Sequence, residues 1–379
     1  MGSSDGVRPG RSARGRARRG APVVAVTGAA GPVGGRVAEA LAAAPDAVRR
    51  VVGIDDRRGT VEQVQWRVVD VASPSVADKL AGVDVVVHLA GSSDLEATLA
   101  TDAGRRRARE VRSAQAVLTA SAAVGVSHVV VVTSAMVYGA FAGAPVPLDE
   151  DALLQAPPDA GLVGDLLEVE RLVDVAGRSH PGLALSVLRP AALVGPGVDT
   201  VVTRHFEAPR LLTVRESETL WQFCHVDDLA SAVVRVVRDR LTGPLTVGCE
   251  SFLTQATVEQ VSGMRRLELP SSLAFGTAER LHRVGVLPMP ASDLAYVVHP
   301  WVVPSTRLLA SGWRPDYDNE TCLGVLLHGL TGRRAVAGRR VERKDAALGA
   351  AGAAVAVVGT AAVWRQARSR QARRRSGRG

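Results

Sequence analysis

The chain has 379 residues, 46% of them hydrophobic, with 46 Lys and Arg against 38 Asp and Glu and only three cysteines. That length holds one large or two modest domains with a sizeable core. Cys224, Cys249 and Cys322 are too widely spaced for a metal cluster or a disulfide framework, so they read as buried thiols in a reducing compartment. The net charge of +8 is segregated, with +5 in residues 1–20, +11 in 333–379 and −8 in the body between them. An acidic body argues against nucleic-acid binding by the folded part, whereas the basic tails suit an anionic surface.

Residues 1–21 are Gly, Arg and Ser with almost nothing to bury, a disordered basic arm. The charged start, without an apolar core, does not read as a secretory signal. The apolar run 23–26 predicts a buried parallel strand, followed by a glycine turn (TGAAGPVG, 27–34) and a helix over about 33–41. Strand, glycine turn and helix aim backbone N–H groups and a positive helix end at a pyrophosphate. In this reading Gly28 permits the tight turn, Gly31 lets backbone approach phosphate, and Gly34 lets helix pack close on strand. A second strand, 51–54, closes on Asp55, 24 positions after Gly31, where a carboxylate can take both ribose hydroxyls of an adenosine. Such a carboxylate repels a 2′-phosphate and favours NAD over NADP, although Arg57 and Arg58 nearby leave NADP open.

Residues 68–71 read as the end of a third strand, with Asp70 bordering an adenine pocket. The fourth strand, 83–89, runs into Ala90-Gly91, small residues that let backbone lie against the cofactor, and His88 within it reads as a packed strand residue. A helix over about 108–124 precedes a fifth strand, 129–133. Alternating strands and helices predict an α/β fold, a Rossmann-like doubly wound parallel sheet with its ligand at the carboxyl ends of the strands.

Five blocks now stand in order: TGAAGPVG at 27–34, HLAG at 88–91, TSAMVYG at 133–139, LRPAALVGPG at 188–197 and HVDDLA at 225–230. Together they resemble the extended short-chain dehydrogenases/reductases of the NAD-dependent epimerase/dehydratase group, of the UDP-glucose 4-epimerase-like kind, over about 22–330. The resemblance implies an NAD(P)-binding domain at 22–190, a substrate-binding lobe at 191–330, a nucleotide-sugar ligand and pairing into a homodimer. It matches Ser134 to the hydroxyl that bonds the substrate's reacting oxygen, and Arg189-Pro190 to the loop beside the nicotinamide. His225 and Asp227-Asp228 match a segment supporting the active-site wall.

The same resemblance requires a Tyr and, four residues later, a Lys on one helix. The ammonium lowers the Tyr pKa and holds the ribose, and the Tyr then acts as acid or base. Here Tyr138, Tyr296 and Tyr317 are followed four places on by Ala142, Pro300 and Thr321, so the pair is absent. With Glu170 as anchor of the helix 161–177, Leu162 and Leu166 hold the two places, and Glu110 holds that of the family's helix asparagine. Two readings follow: an enzyme with a substitute acid/base from among Tyr138, Asp165 and Glu168, or a dinucleotide-binding protein without turnover. At the far end, 346–364 gives nineteen uncharged residues between basic flanks. That is close to the roughly 20 apolar residues a membrane span requires, though rich in Ala and Gly. The expectation is a cytoplasm-facing domain with an optional membrane anchor.

Overall fold

A computed structural model describes residues 20–338 apart from 92–93, 160, 285–286 and 288. The basic arm before residue 20 and the uncharged segment 346–364 lie outside the described residues. In chain order the first half contains β1 (Val23–Thr27), α1 (Pro32–Ala42), β2 (Arg50–Asp55), β3 (Gln65–Val68), α2 (Val76–Lys79) and β4 (Val85–Leu89). After these come α3 (Leu95–Ala100), α4 (Ala103–Val124), β5 (His128–Val132), α5 (Leu162–Ser179) and β6 (Ala184–Pro190).

The six strands and an edge strand, Gly243–Val247, form one seven-stranded sheet in the order edge–β6–β5–β4–β1–β2–β3. Every neighbouring pair is parallel. Residues alternate across a pleat, so a strand that is apolar at every position must be covered on both faces. In β1, Val24 and Val26 pack with Val33, Val37 and Leu41 of α1. Val23 and Ala25 face the other way, into a cluster with Val117 of α4 and Val169 and Val173 of α5.

Two boundaries differ from the sequence reading for local reasons. α4 begins at Ala103, five residues early, because the Asp102 side chain caps it by accepting from the Arg105 N–H. Such a cap contributes about 1 kcal/mol, and the arginines of the first turns hide the apolar period. β3 ends at Val68, so Asp70 lies beyond the strand, exposed, its carboxylate accepting from the Ala72 N–H.

The sheet is not completed within 22–190. Gly243–Val247 pairs with β6, Leu245 opposite Leu188, although the sequence placed this short run in the substrate-side lobe. Between them α6 (Val201–His205) and α7 (Val226–Asp239) follow, and α7 packs its Leu229, Val233 and Val236 into the α1 face of the core. The rest of the lobe is built on three two-stranded ladders around a cluster of His205, Phe206, Trp221 and Phe223 rings. Lobe and sheet share one continuous core.

Candidate functional site

The chain leaves β1 at Gly28, whose φ of +73 is open to glycine at no steric cost. Its N–H donates to the Ile54 carbonyl (3.0 Å), and its own carbonyl accepts from the Gly31 N–H (3.2 Å). A Cβ at Gly34 would lie 2.0 Å from the Gly28 oxygen, so only glycine lets α1 sit this close to the turn. Gly31 is different: a Cβ there would meet nothing but the Gly28 oxygen, at an ordinary 3.4 Å. Protein packing does not require that glycine, and the space in front of it is open. α1 starts there with Pro32 at its first positions and no side-chain cap, leaving the helix end to an outside anion.

Asp55 ends β2 beside this turn. One carboxylate oxygen accepts from the Ala30 N–H (2.9 Å) and the other from the Asp56 N–H (2.8 Å). Each oxygen keeps a second lone pair for a further donor. Burial pushes its carboxyl above the ordinary value, and the Ala30 and Asp56 N–H groups oppose that shift.

Across the sheet's reversal point, Ala90 donates its N–H to Val132 (3.0 Å), and Gly91 turns the chain at φ +78. The Gly91 N–H donates to Glu110 Oε2 (3.0 Å). A Cβ at Gly91 would touch Leu166 Cδ2 at 3.5 Å, which puts this leucine over the end of β4. His88 is a packed residue: Nδ1 shares a 2.7 Å bond with Thr27 Oγ1, Nε2 has no partner, and burial lowers its pKa to about 4. After β5, Ser134 is half-buried, accepts from the Met136 N–H (3.2 Å) and caps the single turn Ala135–Tyr138. Its own O–H donates to no described residue.

The substitute acid/base candidates are committed elsewhere. Tyr138 is fully buried, donating its hydroxyl to the Glu150 carbonyl (2.8 Å) and accepting from Arg189 Nη1 (2.8 Å). Arg189 is not in a loop but inside β6, where Nε and Nη2 grip Glu170, which also accepts from Thr133 Oγ1 (2.7 Å). Pro190 closes the same strand, buried. The loop expected at Arg189 is corrected to β6, and Tyr138 joins Arg189 in an internal polar network, because a guanidinium inside a sheet must be met by a carboxylate. Asp165 is held by Arg106 (2.7 Å) and Arg107 (3.5 Å), and Glu168 pairs with Arg171 on the surface (2.9 Å).

One carboxyl has no signal in the sequence. Asp293, 2% exposed, accepts a backbone hydrogen bond from Leu162 at the start of α5, while its Oδ2 has no partner. Burial first, then the neighbouring Asp159, pushes its pKa up to about 7. A carboxyl with a raised folded-state pKa contributes stability that is full below its unfolded value and lost as pH rises through the folded value. For Asp293 the window runs from about pH 4 to about pH 7. The difference in urea midpoint between the parent and Asp293→Asn is expected to change across that window and to be constant above it. A constant difference throughout would refute the assignment.

Farther along, the first turn of α7 is tied to the segment at Asp316–Tyr317. His225 accepts from the Asp227 N–H (3.3 Å) and stacks on Tyr317 at 3.8 Å. Asp228 accepts from the Asp316 and Tyr317 N–H groups at 2.8 and 3.3 Å.

The model of the NAD dependent epimerase/dehydratase family matches residues 24–247. Uncharacterized proteins of Mycobacterium tuberculosis and Mycobacterium bovis are each 26% identical over 310 residues, 78% of this chain and 80% of theirs. A solved dTDP-glucose 4,6-dehydratase from Streptomyces venezuelae, with NAD and TYD bound, superposes with a TM-score of 0.61 at 18% identity, covering 83% of this chain and 98% of its own. A UDP-galactose 4-epimerase gives 0.58 at 19% identity, over 82% and 99%. MoeE5 in complex with UDP-glucose and NAD gives 0.57 at 21%, over 83% and 99%. At such identities the superpositions show a shared fold, while the family match spans more than half of the chain. The protein therefore belongs to the NAD dependent epimerase/dehydratase family.

Proposed function

We propose that the chain binds NAD in the crevice above the carboxyl ends of β1, β2, β4 and β5, and holds it without the Tyr/Lys proton relay. The carrying observation is α5, which opens with Leu162 and has Leu166 over Gly91, where the relay would stand. A leucine neither moves a proton nor holds a ribose hydroxyl. The other half of the crevice fits the cofactor. Open space before Gly31 and the uncapped start of α1 suit the pyrophosphate, and the spare lone pairs of Asp55 suit the adenosine ribose. Ala90 and Gly91 offer backbone to the nicotinamide side, and Ser134 offers its hydroxyl to a second ligand. Bound NAD supplies a hydride acceptor; the chain supplies binding and orientation.

A nucleotide-sugar is the second ligand we propose, after the UDP- and dTDP-sugars in the names of the solved neighbours. Turnover of that ligand is the second reading, and the partnerless oxygen of Asp293 beside α5 favours it. Among the described residues no helix is long and apolar enough to cross a membrane. Anchoring through 346–364 is a separate proposal, resting on that segment's composition alone.

Saturating NAD is expected to raise the melting temperature. At a hundred times Kd, ligand binding adds about 2.7 kcal/mol, or roughly 5 °C for a domain of this size. NADP is expected to give a smaller shift, because the Asp55 carboxylate repels its phosphate. UDP-glucose, UDP-galactose and dTDP-glucose are expected to remain unconverted. No shift with either dinucleotide sinks the binding reading, and turnover that vanishes in Ser134→Ala establishes the enzyme instead.

A further inference from the structure

Doubly wound sheets bind a dinucleotide across the point where strand order reverses, one mononucleotide on each half. Here the reversal lies between β1 and β4. The β1–β2 half carries the glycine turn and Asp55, so the β4–β5 half faces the nicotinamide nucleotide. The ionisable groups there are unequally compensated. Asp165 is balanced by Arg106 and Arg107. Glu110 has one hydrogen-bond partner among the described residues, the Gly91 N–H at 3.0 Å, and no arginine or lysine within ion-pairing distance. The adjacent Arg109 turns away to Asp56 (3.4 Å) and Asp70 (4.0 Å). Burial pushes the Glu110 carboxyl above its ordinary range and the Asp165 charge adds to that shift, while the Gly91 N–H and, without an ion pair, Arg109 and Arg106 oppose it.

On α5 the side chain over Gly91 is Leu166, and Asp165 on the same helix adds a like charge. The nicotinamide ring is cationic when oxidised and neutral when reduced. A half-buried carboxylate with no ion-pair partner attracts the first and is indifferent to the second.

On the NAD-binding reading above, we propose that Glu110 makes this crevice select the oxidised dinucleotide, so that the chain binds NAD⁺ more tightly than NADH. The selection needs no proton relay and no second substrate. It makes the protein a reader of dinucleotide oxidation state.

Calorimetric titration of the full chain with NAD⁺ and with NADH, at about pH 8 so that the carboxylate is ionised, tests this directly. The parent is expected to bind NAD⁺ on the order of tenfold more tightly, a difference of about 1.4 kcal/mol. Glu110→Gln keeps an oxygen for the Gly91 N–H, so its ligand-free melting temperature is expected to match the parent's. Its preference is expected to collapse towards one, through weaker NAD⁺ binding with NADH unchanged. Equal affinities in the parent, or a preference that survives in Glu110→Gln, overturn the role of Glu110 and leave dinucleotide binding standing. If neither dinucleotide binds, both fall. Glu110→Ala provides a second variant with the charge removed, should the glutamine form fold poorly, and the same collapse is expected of it.

Discussion

Gly31→Ala is expected to fold like the parent and to lose NAD, whereas Gly34→Ala is expected to fail as a fold. The two glycines stand three residues apart in one turn and differ only in what a methyl group would meet. At position 34 it would sit 2.0 Å from the Gly28 oxygen and 2.7 Å from the Gly28 carbonyl carbon. Those atoms are backbone, tied into the sheet through the Gly28 N–H and Ile54, and cannot swing aside as a side chain would. Overpacking against a yielding neighbour costs about 1–3 kcal/mol. Here the cost is expected to be about 3 kcal/mol or more, seen as a lower urea midpoint or insoluble protein. At position 31 the methyl meets one oxygen at 3.4 Å, an ordinary contact. The melting temperature is expected to stay near the parent's while Kd for NAD rises more than tenfold, about 1.4 kcal/mol or more. Unchanged NAD affinity in Gly31→Ala would show that the pyrophosphate does not lie against that turn.

Removing the Arg189 guanidinium is expected to be the most destabilising single change in the crevice wall outside the glycine turn. Arg189→Met leaves Glu170 buried with only Thr133 for a partner, and takes one hydrogen bond from the Tyr138 hydroxyl. Breaking one side of a buried ion pair costs about 3–5 kcal/mol, mostly the penalty of the charge left behind. Replacing both partners, as in Arg189→Met with Glu170→Leu, is expected to recover most of the loss. Urea midpoints for the two single variants and the double close the cycle. A single variant within about 1 kcal/mol of the parent would mean that water reaches Glu170 and the pair is not truly interior. The same network engages the Tyr138 hydroxyl, which bonds the Glu150 carbonyl and Arg189 and helps hold β6 to the loop at Glu150.

The glycine turn and the acid at the end of β2 were legible because their chemistry is contiguous. Gly28, Gly31 and Gly34 act on one another and on the next strand, so spacing carries the information. The absence of a Tyr/Lys pair was equally legible, since it needs only a search of the chain. Asp70 and the extent of β3 were misread because an apolar run has no sharp end, and the Val69 N–H still reaches Asp55 without forming strand. The strand Gly243–Val247 falls in the range read as the substrate-binding lobe but pairs with β6, since five residues hold no mark of their pairing partner.

The sequence alone determined the strand–turn–helix unit, the alternation that makes the sheet parallel, and the absence of any Tyr with a Lys four residues on. These follow from periodicity and residue identity, which need no distances. The tertiary structure decided which ionisable groups are compensated: Arg189 met by Glu170, Asp165 by two arginines, Asp293 and Glu110 left short. Coulombic and hydrogen-bond energies fall within a few ångströms, and the partners that settle these groups stand far apart in the chain, Tyr138 and Arg189 by 51 positions, Arg106 and Asp165 by 59. Only the folded chain brings those distances into range.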